Sequence, residues 1–185
     1  DLLKKLDEIL PLADASSSAH YRYRKLFVVL HTYGSHFNYQ ERYPRSFAYF
    51  KPDSRSEAKP ENRQDLLNAY DNTIRYTDYI LHGIVERLQK WEKLQAKALA
   101  KTQAKTHGAT CQPTSAMLYT SDHGENIFDD DRRLFLHAAP KASDYELHVP
   151  FIIWTSEGFG NEYPNTWKAL EENRTKQVQT SLSAF

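Results

Sequence analysis

The order of apolar runs along this 185-residue chain predicts an α/β fold. Three observations carry it. The run "KLFVVLHTYG" is too short for a good helix, β-branched at its centre and closed by a Gly-containing turn, so it reads as a strand buried on both faces. From Asn62, an apolar stripe at 3.6-residue spacing marks a long helix. Two further short apolar runs, "SAMLYTSD" and "HVPFIIWTS", each end in polar residues. Strand, helix, strand, loop, strand, helix implies a mainly parallel sheet with helices on both faces.

Taken in order, Leu2, Leu3, Leu6, Ile9 and Leu10 recur at helical spacing and Pro11 stops the run. In the long helix Leu66, Leu67, Tyr70, Ile74, Leu81, Ile84, Val85 and Leu88 form the stripe, with Asn62 as the expected N-cap. Its continuation, "KWEKLQAKALAKTQAKT", has little apolar face and reads as a solvated helical extension or a mobile loop before Gly108. Binding of acidic lipid head groups is the lesser reading of that basic run. The tail "NTWKALEENRTKQV" is a helix with Asn165 as its cap. No internal repeat is visible.

Composition narrows the function. A chain of this length supports one core. Lys plus Arg balance Asp plus Glu at 24 each, and no basic patch lies beside aromatics, so nucleic acid is not an expected partner. The single cysteine, Cys111, excludes an internal disulfide or a CxxC motif. No stretch approaches the roughly 20 apolar residues of a membrane span, and "DLLKKLDEIL" lacks a signal core. The chain starts at Asp1, without Met and inside a helical pattern, and ends at "TSLSAF" as an apolar pattern resumes, which reads as a piece of something longer.

In open parallel sheets, polar groups gather at the carboxyl ends of strands. Here the first strand delivers His31 and His36, the second Asp122, His123 and Glu125, and the long polar loop between the last two strands delivers His137. Within "SDHGE", adjacent Asp122 and His123 can meet on one ion if Gly124 bends the backbone. Oxygen and imidazole ligands suit Zn²⁺; a carboxylate-rich version suits Ca²⁺, Mg²⁺ or Mn²⁺. The plain alternative is a loop in which Asp122 caps a turn and His123 is polar surface. For "DHG" alone that alternative carries more weight.

The surrounding sequence alters that balance. "LHTYGSHFNYQERYPRSFAYFKP", "LLNAYDNTIRYTDYIL", "AMLYTSDHGE", "FLHAAPKA" and "HVPFIIW" together resemble, in order over most of residues 26–178, the periplasmic catalytic domain of the lipid A phosphoethanolamine transferases of the alkaline phosphatase and sulfatase superfamily. The resemblance implies an alkaline phosphatase-like fold, of which residues 1–185 form the C-terminal part of the catalytic domain. It implies one or two zinc ions, with Asp122 and His123 as ligands, and His36 and His137 contacting the phosphoryl group or a second zinc. His31 takes a supporting place, and Glu125 a place behind the ligands, orienting His123. The nucleophilic threonine and the first zinc carboxylate are expected upstream of Asp1, and nothing in residues 1–25 replaces them. The implied partners are a phospholipid donor and a lipid A-type acceptor, the implied location the periplasmic face of the bacterial inner membrane, anchored by a segment preceding Asp1, and the implied state a monomer. A sulfatase-like hydrolase, a phosphoglycerol transferase and a non-catalytic binding domain are the alternatives.

Two departures stand out. Relatives carry paired cysteines around "KPDSRSEAKPEN" and this chain has none there, so a looser loop is expected; and "FNY" follows His36 where many relatives have a glycine and a proline. His20, His82 and His107 read as surface residues and His148 as structural. Asp129–Asp131 read as solvated rather than as a cation site. The aromatics of residues 33–50 fit core packing as well as a head-group pocket.

Overall fold

A computed structural model describes residues 2–10, 26–103, 112–138 and 140–179. Asp1, upstream of which the nucleophile is expected, lies outside these residues, as do Cys111, His20 and His107. The helices are α1 (Leu2–Ile9), α2 (Arg63–Gln103), α3 (Asp144–Leu147), α4 (Phe159–Glu162) and α5 (Pro164–Asn173); the strands are β1 (Ala116–Thr120), β2 (Asn126–Ile127), β3 (Phe135–Leu136) and β4 (Phe151–Thr155). Contacts divide the chain into two compact units, one of residues 29–83 and 120–150, the other of residues 1–28, 84–119 and 151–185. The single core expected from chain length is thus replaced by two units.

In the second of these units, α1 buries Leu3 and Leu6, and Leu10 and Ile84 are buried as well. Arg87 holds α1 through a two-pronged contact with Asp7 at 2.9 and 3.0 Å. The basic continuation is regular helix through Gln103. Strand β1 pairs with β4. The Ser156 N–H donates to the Ser115 carbonyl at 2.9 Å, so the start of β1 meets the end of β4 and the strands run antiparallel. The other sheet, β2 with β3, is an antiparallel pair too. Among the described residues the expected parallel sheet is therefore not seen.

The segment 26–30 forms no strand, contrary to expectation. A strand exists only when a neighbour accepts its ladder bonds, and here Phe27 and Val29 remain 89% and 76% exposed. Asn165 is likewise not a cap: Pro164 takes the first turn of α5 and Tyr163 precedes it, because the fixed φ of proline suits that position. Asn62 does stand immediately before α2, in a 3-10 turn (Pro60–Asn62), and its amide donates back to the Glu57 carbonyl at 3.2 Å.

The unit of residues 29–83 and 120–150 closes around Tyr39, Tyr43, Leu66, Ala69 and Ile127, with Phe37, Phe47, Tyr70 and Phe135 packed on them. The same helix that supplies Leu66 and Ala69 also buries Asp65, Asn68 and Asn72, at i, i+3 and i+7. These side chains fasten the loop before α2. Asn72 accepts from the Tyr49 and Phe50 N–H groups at 2.9 Å each and donates to the Phe50 carbonyl at 3.0 Å. Asn68 donates to the Pro52 carbonyl at 2.7 Å, and Asp65 accepts from the Ser54 and Arg55 N–H groups at 3.2 and 3.1 Å. Asp53 accepts from the Tyr43 hydroxyl at 2.8 Å and from Lys51 at 2.6 Å. Burial, with the Asp53 bond adding to it, pushes the Tyr43 hydroxyl up to about 12. The segment expected to be loose without cysteines is thus tied from Tyr49 to Arg55 by the helix and by its own carboxylate.

Candidate metal and phosphoryl site

The site is built on a hairpin. Strands β2 and β3 pair Asn126 with Leu136 and Ile127 with Phe135. Extending that register by one residue sets Glu125 opposite His137. Their approach agrees with it: Glu125 Oε1 lies 3.4 Å from His137 Nδ1. The Asn126 amide locks the hairpin by donating to the Leu136 carbonyl at 2.8 Å. Backbone φ is positive on both sides of His137, 64° at Leu136 and 67° at Ala138. Non-glycine residues held there cost on the order of 1–3 kcal/mol each, and such strain persists where surrounding contacts impose it.

Helix α3 supports the other flank. Ser143 caps it in a full capping box with Glu146, and the Ser143 hydroxyl bonds Asn126 Oδ1 at 2.5 Å. The Gly124 N–H donates to the Glu146 carbonyl at 2.7 Å. A Cβ on Gly124 would lie 2.0 Å from the Tyr145 carbonyl oxygen. Glycine is needed at this place for close backbone approach to α3.

His123, Glu125 and His137 offer ligand atoms that all lie within 4.8 Å of one another. The His123 and His137 rings are 3.8 Å apart between centroids, and their side chains are 33% and 34% exposed. Glu125 is 5% exposed, and its Oε2 accepts from the hydroxyl of buried Tyr39. Burial, then the Glu125 carboxylate, holds the Tyr39 hydroxyl far above its ordinary range, so it stays a donor.

Ring tautomers follow from the partners, because a carbonyl oxygen can only accept. His123 Nδ1 is 2.9 Å from the Gly124 carbonyl, so it carries the hydrogen and Nε2 keeps its lone pair. That free Nε2 lies 3.7 Å from Asp122 Oδ2. Zinc bonds of about 2.1 Å at the tetrahedral angle separate neighbouring ligand atoms by about 3.4 Å, so the pair fits one ion. Asp122 is 87% exposed. What burial it has pushes the carboxyl up, but the His123 ring and backbone N–H groups outweigh this and hold it below the usual range, in the ionised form a metal needs. His137 Nδ1 is buried without a hydrogen bond, the kind of atom that an ion or a shifted carboxylate would satisfy. His123, Glu125 and His137 thus form a group able to hold a metal ion, with the Asp122 carboxylate beside His123; imidazole and carboxylate donors of this kind suit zinc.

His36 is not one of these three grouped side chains. Its Nδ1 bonds the Phe37 carbonyl at 2.6 Å, which again leaves Nε2 free, and its ring meets Tyr33 edge-on at 5.4 Å. Arg42 bonds the His36 and Phe37 carbonyls at 2.9 and 3.3 Å and lies 4.5 Å over the Tyr33 ring. His31, His82 and His148 are exposed. Glu125 faces His137, where the sequence suggested an orienting role toward His123. Nor is the acidic run merely solvated: Asp129 accepts from Ile127 N–H at 2.6 Å and Arg63 at 3.1 Å, and Asp130 pairs with Arg132 at 2.7 Å. Sequence reasoning missed Tyr39. Its only signal was an aromatic in a polar stretch three residues after His36.

The family model described as Sulfatase matches residues 1–99. The chain is 31% identical over 137 residues to the Kdo(2)-lipid A phosphoethanolamine 7''-transferase of Escherichia coli, covering 73% of the chain and 20% of that protein. Among solved structures it resembles the C-terminal periplasmic domain of phosphoethanolamine transferase EptC from Campylobacter jejuni, with a TM-score of 0.56 and 28% identity over 76% of the chain and 38% of that domain. It also resembles the integral membrane lipooligosaccharide phosphoethanolamine transferase A from Neisseria meningitidis, with a TM-score of 0.54 and 27% identity over 81% of the chain and 25% of that protein. The chain thus spans about a fifth to a quarter of these full-length relatives. Among the described residues no helix is long and apolar enough to cross a membrane. The family match over more than half of the chain and the identity to these relatives place the chain in the sulfatase family, beside lipid A phosphoethanolamine transferases.

Proposed function

We propose that this chain is the C-terminal part of the catalytic domain of an enzyme that moves phosphoethanolamine from a phospholipid to lipid A or a related cell-envelope glycolipid. The observation that carries the reading is the grouping of His123, Glu125 and His137, with the His123 Nε2 lone pair free beside Asp122. In this reading the enzyme works at the periplasmic face of the inner membrane, anchored by a segment preceding Asp1, and acts as a monomer. Asp122 and His123 would hold zinc, one or two ions in all, and the metal would supply Lewis-acid withdrawal of charge from a phosphoryl oxygen and from the attacking hydroxyl.

A threonine upstream of Asp1 gives up its hydroxyl proton and attacks phosphorus; the bond to the lipid oxygen breaks as the threonine oxygen bonds, and the lipid oxygen takes a proton. An acceptor hydroxyl oxygen then bonds phosphorus as the bond to the threonine oxygen breaks, and the acceptor's proton passes to the threonine oxygen. His36 and His137 hold the phosphoryl oxygens or deliver the proton that the lipid oxygen takes, each through the nitrogen not engaged by its neighbour. His31 lies at the edge of this site without a direct part.

The test uses the complete protein in cells, with lipid A read by mass spectrometry. Wild type should add phosphoethanolamine, His123→Ala should abolish the addition, and His36→Ala or His137→Ala should reduce it by about 10²- to 10⁴-fold. Residues 1–185 alone should bind zinc weakly and cleave no phosphodiester. His123-dependent cleavage by the isolated chain would overturn that division of labour. A match to the broad sulfatase family keeps sulfate esters as the second substrate class, and turnover of an aryl sulfate in preference to a phosphoethanolamine donor would select it.

A further inference from the structure

We infer that Tyr39 is a positioning residue for His137, acting through Glu125, an inference that rests on the reading of His137 as a phosphoryl-site residue. Two of the three site histidines share one arrangement. His36 and His123 each commit Nδ1 to the backbone carbonyl of the next residue, at 2.6 and 2.9 Å, and so present an unprotonated Nε2. His137 has no such carbonyl bond. In its place Nδ1 faces Glu125 Oε1 at 3.4 Å.

With Oε2 taken by the Tyr39 hydroxyl, Oε1 is the acceptor that faces His137, and a His137 that pairs with it does so through a hydrogen on Nδ1, which leaves Nε2 free as in the other two rings. The spacing is long for a hydrogen bond, and such bonds commonly tighten once a site is loaded. What fixes Oε1 in place is the other end of the carboxylate. Oε2 accepts from the Tyr39 hydroxyl, and Tyr39 is fully buried, its ring set edge-on against Phe37 at 5.3 Å and Tyr70 at 5.2 Å. With the ring clamped, the hydroxyl has one place to go. The core therefore determines which nitrogen of His137 meets the substrate, and Tyr39 does for this ring what the backbone does for His36 and His123.

Long-range ¹H–¹⁵N correlation spectra of the complete protein, labelled in its histidines, read each imidazole tautomer directly. The native protein should show hydrogen on Nδ1 in all three rings. Glu125→Gln should move the His137 hydrogen to Nε2, because the amide oxygen takes the Tyr39 bond and the NH₂ group then faces Nδ1. Tyr39→Phe keeps the packed ring, frees Glu125 and should give His137 a mixture of tautomers. His36 and His123 should be unchanged in both variants. In the complete protein each variant should lower kcat by about 10- to 100-fold with KM little altered, and Glu125→Asp should restore part of the loss.

An unaltered His137 tautomer in Tyr39→Phe overturns the inference. So does a simultaneous change in all three rings, which would mean general loosening. The spectra need neither donor nor acceptor, so an enzyme that proved to transfer some other group would leave this result standing.

Discussion

Two irregular stretches of this chain behave in opposite ways. Residues 49–55 hold no cysteine and are polar or exposed, and are nonetheless tied to α2 by Asp65, Asn68 and Asn72. Residues 26–30 are apolar and β-branched, and yet Phe27 and Val29 stand exposed with no ladder formed. The same contrast recurs in β4, where Phe151, Ile152 and Ile153 are all exposed although the strand is formed. Order follows the presence of a partner that satisfies the backbone, not the apolar content of the segment. Each stretch can be tested from its own side.

The largest effect is expected at Asn72. Its amide bonds two N–H groups and one carbonyl of the loop, and truncation leaves all three without their partner. Loss of a buried amide of this kind costs about 1–3 kcal/mol, and three groups put Asn72→Ala near the upper end. Urea denaturation should show that loss, and limited proteolysis should cut within residues 49–55 of the variant at a concentration of protease that spares the native chain. An intact loop in Asn72→Ala would shift the fastening to Asp65 and Asn68.

Much of this fold is legible in the sequence, and the reasons for the rest are local. Helices α1 and α2 are written in leucines at i, i+3 and i+4, and β1 and β4 in short apolar runs bounded by polar residues. Helix α2 overran its expected apolar part because Ala, Lys and Gln are good helix formers even without a face to bury. The polar stripe of α2 is hidden because the apolar stripe through Leu66, Leu67, Tyr70 and Ile74 leaves Asp65, Asn68 and Asn72 reading as its solvent side. At the site, "SDHGE" and "FLHAAP" announced His123 and His137, but only the β2–β3 register sets Glu125 against His137, and no spacing in the sequence encodes a two-residue hairpin pairing. Tyr39 could not be read at all: its role depends on Glu125, 86 residues away.

A smaller effect is expected at Asp53, and it depends on pH. Burial pushes this carboxyl up, but the bonds from Lys51 and Tyr43 outweigh burial and hold it below the usual carboxylate range. A carboxylate lowered on folding adds stability that is complete above its unfolded pKa and is lost as pH falls through the folded value. The native chain should therefore exceed Asp53→Asn in stability at neutral pH, and the difference should shrink on acidification and vanish below the carboxylate range. A constant difference across that range would mean that Asp53 acts through packing alone, and that the loop owes its order to the α2 amides without help from charge.

The smallest effect belongs to the other side of the comparison. Ile153 lies on an exposed stretch of β4, and Ile153→Thr keeps a β-branched side chain that suits a strand while replacing apolar surface with a hydroxyl. Exposed substitutions of this kind change stability by no more than about 0.5 kcal/mol. Thermal unfolding of the variant should therefore match the native chain, while binding of an apolar-surface dye should fall, since Phe151, Ile152 and Leu118 flank it on an equally exposed sheet. A loss of several times that magnitude would show that the face is covered in solution. Sedimentation at rising concentration then identifies the cover: if another copy of the chain sits on β4, Ile153→Thr should dissociate it, and stability should become dependent on concentration in the native chain and independent of it in the variant.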